Sequence, residues 1–306
     1  MDTIHIAFGC DDNYVKHLSV ALLSLLEHAD PLREIVVHVM IVKLSKKNKA
    51  GLRAIVEKFA KEIEFLIIDA SLFEKVYLRG HILSPVTYAR VLIPDIIDVG
   101  KVLYLDCDML IKQDISQLYD VNIEDWYLMA VREPMMDRSR NRALGMPETA
   151  PYFNSGMLLI NCNKWREDNI PHKVLEFASN EHERMFFHDQ DALNVILQNK
   201  WKLLHPKWNQ IANIYDFESF IQTDYSENEF EECLNNPYII HFTWIKPDSY
   251  TCKHPSNVEY GVYLLQTPWA GALHKDKLKV LYKEWRARIK QKRRKIKAKL
   301  KELLNI

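Results

Sequence analysis

The chain has 306 residues, 48% hydrophobic and 27% charged, with 41 basic side chains against 41 acidic ones. This is an ordinary globular profile with room for one large or two modest domains. Five widely spaced cysteines without a CxxC pair argue against a disulfide framework or a cysteine-rich zinc site and fit a reducing compartment, and no apolar run is long enough to span a bilayer.

Ile4 to Phe8 is read as a first strand, ending at Gly9-Cys10-Asp11-Asp12-Asn13-Tyr14. The N-terminus MDTIHIAFGC carries an early acid and no basic region, so it does not read as a signal peptide. Leu18, Ala21, Leu22, Leu25 and Leu26 give Tyr14 to Leu26 one helical apolar face, with Asp12 or Asn13 as candidate cap. Strand Ile35 to Val42, helix Asn48 to Ala60 and strand Ile63 to Ile68 follow. Alternating strands and helices predict an α/β fold with a mostly parallel sheet, and a ligand at the strand ends is the default for such sheets. Neither a G-x-G-x-x-G nor a G-x-x-x-x-G-K-[ST] loop is present. The acidic loop Asp11-Asp12-Asn13 stands where a phosphate loop would be. It suits hydrogen bonds to a base or ribose, or simply caps the helix.

Ser84 to Pro94, SPVTYARVLIP, is predicted to be a helix with Pro85 early in it. Arg90 lies among its apolar residues, where an arginine either snorkels or reaches a carboxylate or phosphate. Lys101 to Ile111 is read as the central strand, interrupted by Asp106 and Asp108. Two dry, unpaired carboxylates there would be costly, so a partner is expected. Residues i and i+2 share a face of an extended chain, so both can point at one hard cation, with Cys107 turned away. D-x-D alone also fits two aspartates in a wet turn.

Leu128 to Val131 and Phe153 to Asn161 are read as strands, and Gly156 signals a close backbone approach. Between them Met135 to Pro151 is polar, a surface or lid segment with Arg138, Arg140 and Arg142. Trp165 to Phe177 and Asp189 to Leu197 are predicted helices, the second opened by His188-Asp189-Gln190-Asp191. Residues 201–208 and 211–220 are aromatic-rich without a long period. Tyr238 to His241 is a short strand delivering His241, followed by Phe242-Thr243-Trp244-Ile245-Lys246-Pro247. Residues 263–265 and 269–273 are ambiguous. From Lys277 a helix is expected, with Leu281, Trp285, Ile289, Ile296, Leu300 and Leu303 in one stripe. Residues 286–306 hold ten basic residues and one acid, a balance of +9 that leaves −9 on residues 1–285 of this neutral chain. A basic amphipathic helix suits an anionic membrane surface; a protein or nucleic-acid partner is the other reading.

In sequence order, AFGCDDNY, SPVTYARVLIP, KVLYLDCDMLI, YFNSGMLLIN, FFHDQDALN and IIHFTWIKP resemble the retaining glycosyltransferases of family 8, especially bacterial enzymes that extend lipopolysaccharide or lipooligosaccharide. The resemblance spans roughly residues 4–250. It implies a GT-A, Rossmann-like nucleotide-sugar domain over 1–250, with 251–306 as a basic helical, membrane-associating region. It implies manganese, with magnesium as a second option, and transfer of galactose or glucose from a UDP-sugar to a saccharide or glycolipid acceptor. Carried over by motif, Asp106, Asp108 and His241 would ligate the metal. Gly9, Asp11 and Asn13 would hold the uridine, Arg90 and Asp189 the donor sugar, and Lys246 the diphosphate. Asn154 would stand beside the transfer site and Gln190 would face the anomeric carbon. His81 and Glu133 would line the acceptor or sugar pocket, the latter usually an aspartate in the family. Trp244 and Asp248 replace a glycine and a tryptophan of the family segment after the metal histidine.

For the mechanism, the residues alone nominate Asp189 or Asp191 as a nucleophile, as in retaining hydrolases. The resemblance places the amide of Gln190 nearest the anomeric carbon instead, which favours same-face attack by the acceptor hydroxyl. The expected location is cytoplasmic, on the inner face of the plasma membrane, with no nucleic-acid partner. Two other readings are a metal-dependent nucleotidyl- or phosphotransferase on a similar sheet, and a non-catalytic adaptor led by the basic tail.

Overall fold

The computed structural model describes residues 2–74, 76, 84–135, 138–243, 246–249 and 252–273. His81, Trp244 and the expected helix from Lys277 lie outside them. The chain divides into two compact units, Met1–Trp244 and Ile245–Ile306.

The first unit is built on a seven-stranded sheet of β1 (Ile4–Gly9), β2 (Ile35–Ile41), β3 (Glu62–Ile67), β4 (Lys101–Leu105), β6 (Leu128–Arg132), β7 (Phe153–Asn161) and β8 (Trp201–Leu203). Their order across the sheet is β3-β2-β1-β4-β7-β6-β8. Only β7 runs against its neighbours β4 and β6; the other pairings are parallel. A second sheet joins β5 (Met109–Ile111), β10 (Ile239–His241) and β9 (Gln210–Ile211) in that order, with β10 antiparallel to β5. All nine residues of β7 are buried, including Asn154, Ser155 and Asn161. Helices cover the sheet, and Tyr88, Tyr104, Tyr152, Phe153 and Trp165 are among the large side chains closed into the core.

The expected single strand from Lys101 to Ile111 is two strands in two sheets. The backbone leaves the main sheet at Asp106, whose N–H still donates to the Gly156 carbonyl at 2.8 Å, and turns through Cys107 before β5 begins. The turn takes both carboxylates out of the ladder, where the chain need not bury them unpaired between two faces. Cys107 does turn away: its thiol donates to the Gly9 carbonyl at 3.0 Å.

Several other elements differ from expectation. Helix Val15–His28 has no side-chain cap at Tyr14. One turn earlier, Asp11 Oδ1 accepts the backbone N–H of Asn13 and Tyr14 at 2.9 and 3.1 Å, while Asp12 is spent on Ser45 N–H and Asn48 at the start of the next helix. The SPVTYARVLIP helix is a 3-10 segment, Pro85–Leu92, and one α-turn, Ile93–Ile96; Pro94 has no N–H to extend one ladder through both. The helix expected from Trp165 is Cys162–Glu167 and Ile170–Asn180, broken at Asn169 (φ 51°) just before Pro171. The stretch read as a surface or lid segment is mostly exposed over its described residues, as a surface stretch should be, and it contains helix Arg138–Ala143, anchored where buried Asn141 donates to the carbonyls of Glu148 and Ala150.

In the second unit, helix Asn257–Leu264 absorbs the first ambiguous stretch, and Ala270–Ala272 forms a 3-10 turn.

Candidate active site

The small sheet determines where His241 goes. It pairs with Met109 across β5, and the next residue, Phe242, donates its N–H to the Asp108 carbonyl at 3.0 Å. His241 Nε2 therefore lies 3.3 Å from Asp108 Oδ1 and 3.5 Å from Asp106 Oδ2. One ligand atom from each of the three falls within 4.8 Å of the others. Gly156 of β7 makes room for them. A Cβ there would overlap the His241 ring and stand 2.8 Å from Asp106 Oδ2. Two carboxylates and one imidazole nitrogen so spaced can hold a metal ion, and hard oxygen donors fit manganese or magnesium.

The other oxygen of Asp106 faces inward. Oδ1 accepts Arg90 Nη2 at 2.9 Å and the Tyr104 hydroxyl at 2.8 Å. Arg90, 6% exposed, also donates through Nη1 to the Ser155 carbonyl at 2.5 Å, and its Nε donates to the Thr87 carbonyl at 3.3 Å while lying 3.0 Å from Asp189 Oδ2 in an ion pair. Its guanidinium lies 4.5 Å from the centre of the Tyr104 ring. Burial opposes its charge, but Asp106 and Asp189 outweigh that and hold it well above its ordinary range. Burial pushes the Asp189 carboxyl up to about 6, against the pull of Arg90. Burial also keeps Tyr104 a neutral donor, its pKa raised well above the ordinary value.

A second row of polar groups closes the site behind the carboxylates. Gln190 Oε1 accepts the Ser155 N–H at 2.9 Å, and its Nε2 donates to Glu133 Oε1 at 3.2 Å. Asn154 Nδ2 donates to the same Glu133 oxygen at 2.8 Å. Asn154 Oδ1 accepts from Gly156 N–H at 3.0 Å and Asn209 Nδ2 at 2.9 Å, and Asn209 Oδ1 lies 3.2 Å from His241 Nδ1. Burial raises the Glu133 carboxyl, and its bonds from Asn154 and Gln190 oppose that. The contacts form a closed ring from Asp106 through His241, Asn209, Asn154, Glu133, Gln190, Ser155 and Arg90 back to Asp106. His188, at φ 49° and ψ −124°, directs the chain into Asp189 and Gln190; such backbone persists where the surroundings hold it.

Eight residues nominated from sequence thus share one network: Asp106, Asp108, His241, Arg90, Asp189, Gln190, Asn154 and Glu133. Gly9 joins it through Cys107 and is tightly packed, since a Cβ would meet the Val86 carbonyl at 3.0 Å. Asp11 and Asn13 sit together on the loop after β1, Asn13 exposed. Lys246 falls in the second unit, where its carbonyl accepts the Ser249 N–H at 3.0 Å. Asp191 is fully buried, and its carboxylate accepts the Tyr152 hydroxyl, the backbone N–H groups of Phe186 and Phe187, and Arg140. Those bonds make it a structural anchor, not an available nucleophile. Asn209, Ser155 and Tyr104 belong to the network and were not read from sequence. The one signal for Asn209 was a polar pair, Asn209-Gln210, amid aromatic residues.

The family model for Glycosyl transferase family 8 matches residues 5–250. The chain belongs to this family. Among curated proteins, this glycosyltransferase is similar to General stress protein A of Bacillus subtilis (strain 168), 36% identical over 275 residues, 88% of this chain and 95% of that protein. It is also similar to Lipopolysaccharide 1,2-glucosyltransferase of Escherichia coli, 24% identical over 91% of this chain and 83% of that protein. Among solved structures, the galactosyltransferase LgtC, in complex with donor and acceptor sugar analogs, aligns with a TM-score of 0.79 at 27% identity, covering 88% of this chain and all of that one. A second LgtC structure, of an active-site mutant in which a glutamine becomes glutamate, matches with a TM-score of 0.78 at 26% identity. The α/β, GT-A architecture expected from the sequence is the one found.

Proposed function

We propose that this family 8 glycosyltransferase is a metal-dependent retaining hexosyltransferase. It moves galactose or glucose from a UDP-sugar to a saccharide acceptor, the growing lipopolysaccharide or lipooligosaccharide. The observation that carries the reading is the convergence of Asp106, Asp108 and His241 at the end of β4, inside the polar ring that holds Arg90, Asp189 and Gln190. A ligand at the carboxyl ends of parallel strands is the general position for such sheets.

A manganese or magnesium ion held by Asp106, Asp108 and His241 would supply charge stabilisation for the departing diphosphate. Lys246 adds a second positive charge for the same group, and Gly9, Asp11 and Asn13 receive the uridine; these roles rest on the motif match. Arg90 orients Asp189, which takes the donor sugar's hydroxyls. Gln190 is a poor nucleophile because its amide oxygen is neutral, and the Ser155 N–H that it accepts at 2.9 Å draws on that oxygen further. Same-face attack by the acceptor hydroxyl asks no nucleophilic step of it. The hydroxyl oxygen bonds to the anomeric carbon as the bond to the diphosphate breaks, and the proton passes to the leaving phosphate oxygen. Asn154 stands beside the transfer site, and the motif match assigns Glu133 and His81 to the acceptor or sugar pocket. An active-site glutamine in LgtC supports the assignment of Gln190.

The relatives differ in the sugar named, glucose in the lipopolysaccharide 1,2-glucosyltransferase and galactose in LgtC. Residues 1–250 form the catalytic domain, and the basic stretch of 251–306 attaches it to the anionic inner face of the membrane. No helix among the described residues is long and apolar enough to cross a membrane.

UDP release from a panel of UDP-sugars, with and without a saccharide acceptor and with EDTA, tests the reading. Acceptor-stimulated, EDTA-sensitive release from UDP-galactose or UDP-glucose is expected. Acceptor-independent release of pyrophosphate, or turnover that ignores EDTA, overturns it. Removing residues 286–306 is expected to abolish binding to anionic vesicles and to spare transfer to a soluble acceptor.

A further inference from the structure

The ring behind the metal site contains a chain of amides whose orientations are not interchangeable. It starts at a group with no choice. The Gly156 backbone N–H can only donate, and it lies 3.0 Å from Asn154 Oδ1. That contact fixes which way the Asn154 amide faces, and its Nδ2 accordingly meets a carboxylate oxygen of Glu133 at 2.8 Å. Glu133 Oε1 also receives Gln190 Nε2 at 3.2 Å, so the oxygen acts as an acceptor twice over. With Asn154 Oδ1 fixed as an acceptor, the Asn209 atom 2.9 Å away must be the donor Nδ2. Turning Asn209 over would set two carbonyl oxygens against each other in a fully buried place, since Asn209 is 0% exposed. Its Oδ1 is therefore the atom 3.2 Å from His241 Nδ1, and an oxygen acceptor there requires that Nδ1 carry the hydrogen. In the neutral ring Nε2 is then left with its lone pair, on the side of Asp108 and Asp106 at 3.3 and 3.5 Å.

We propose that Asn209 is a positioning residue that holds His241 as the Nδ1–H tautomer and so presents Nε2 as a ligand nitrogen to the cation shared with Asp106 and Asp108. The inference rests on the metal reading above for its consequence, but the tautomer itself depends only on residues of this chain. The orientation runs from the backbone of β7 through two asparagines to β10. Hence the same strand supplies both the space for the imidazole, at Gly156, and the hydrogen-bond direction that sets its tautomer. Partners of this kind behind a metal-ligating histidine are worth about 10–100-fold in metal affinity.

The test uses full-length protein labelled with 15N-histidine, free of metal, with His241→Gln identifying the His241 signals. Two-bond proton–nitrogen correlation spectra distinguish the tautomers. Manganese affinity is read separately, from the free-Mn2+ EPR signal. Wild type is expected to show Nδ1–H at His241 and to bind manganese. Asn209→Leu, similar in volume and without an acceptor, is expected to populate the Nε2–H form and to lose about 10–100-fold in manganese affinity. Asn209→Asp keeps an acceptor for His241 while losing the donor to Asn154. It is expected to retain the Nδ1–H form and bind manganese better than Asn209→Leu. If Asn209 only supports packing, the two variants lose affinity alike. That result, or an Nε2–H tautomer in wild type, overturns the proposal. If Asn209→Leu does not fold, the wild-type tautomer and Asn209→Asp still decide it. Wild type that shows Nδ1–H but ignores manganese overturns the metal reading instead and leaves the tautomer assignment standing.

Discussion

Two groups of imidazole and carboxylate lie on the same sheet. Toward the beginning of the parallel strands, His5 on β1 contacts His38 on β2 at 3.1 Å, and His38 contacts Glu64 on β3 at 3.2 Å. At the far end, Asp106, Asp108 and His241 converge beyond β4. The residue types are the same and the outcomes differ. In the first group the side chains are spread one per strand along the ladder, so each meets its neighbour pairwise and the row is satisfied within itself. In the second the backbone has left the ladder, and side chains from two sheets aim their ligand atoms at one point. Position at the strand ends, where the chain can turn, makes the difference, not chemistry alone.

The largest expected effect falls on the convergent group. Asp108→Asn keeps the shape and removes a charged ligand. Loss of a direct ligand should exceed the loss from a supporting partner, so transfer is expected to drop at least ~100-fold, with manganese affinity falling in step. The melting temperature is expected to hold, because Asp108 lies in the turn outside the main ladder. Unchanged turnover, with or without EDTA, would erase the distinction between the two groups.

Gln190→Ala probes the ring behind the ligands. Positioned polar donors in active sites are commonly worth about 10²–10³-fold in turnover. Gln190 reaches Ser155 and Glu133 without standing among the proposed metal ligands, so a loss near the lower end, about 100-fold or ~2.7 kcal/mol, is expected, with residual transfer and normal manganese binding. A trapped, mass-mapped sugar adduct on Gln190 or Asp189 would refute same-face attack.

The contrast also explains what was legible in the sequence. β1, β2, β3 and β7 announce themselves through apolar runs, Asp106 and Asp108 are readable because charge within such a run calls for a partner, and His241 was nominated beside them by the family resemblance. A turn at 106–108 was one reading of D-x-D, but the change of sheet was not legible, since Met109, Leu110 and Ile111 resume the same apolar character and nothing in a period marks it. The cap at Asp11 was missed for a local reason: Asp11, Asp12 and Asn13 are near-equivalent cap formers, and contact with Ser45 and Asn48, far along the chain, draws Asp12 away. Asn209 was invisible because its role exists only once β7, β9 and β10 bring Asn154 and His241 to either side of it.

The smallest effect, and the sharpest control, is at His38. With both rings neutral, Glu64 accepts from His38 Nδ1–H and His38 Nε2 accepts from His5 Nδ1–H. Burial lowers both pKa values from the ordinary 6.5, with Glu64 pulling the other way. The unfolded chain therefore binds these protons first as pH falls. Stability from the neutral row is complete above 6.5 and is lost as pH drops below it toward the folded values. Thermal melts of wild type and His38→Gln between pH 7.5 and 5 should show the variant losing less on the acid side. Its transfer activity at pH 7.5 should match wild type, because the row stands away from the strand ends. A His38→Gln enzyme with normal melting but impaired transfer would mean that the two groups on this sheet are coupled, and that position alone does not separate them.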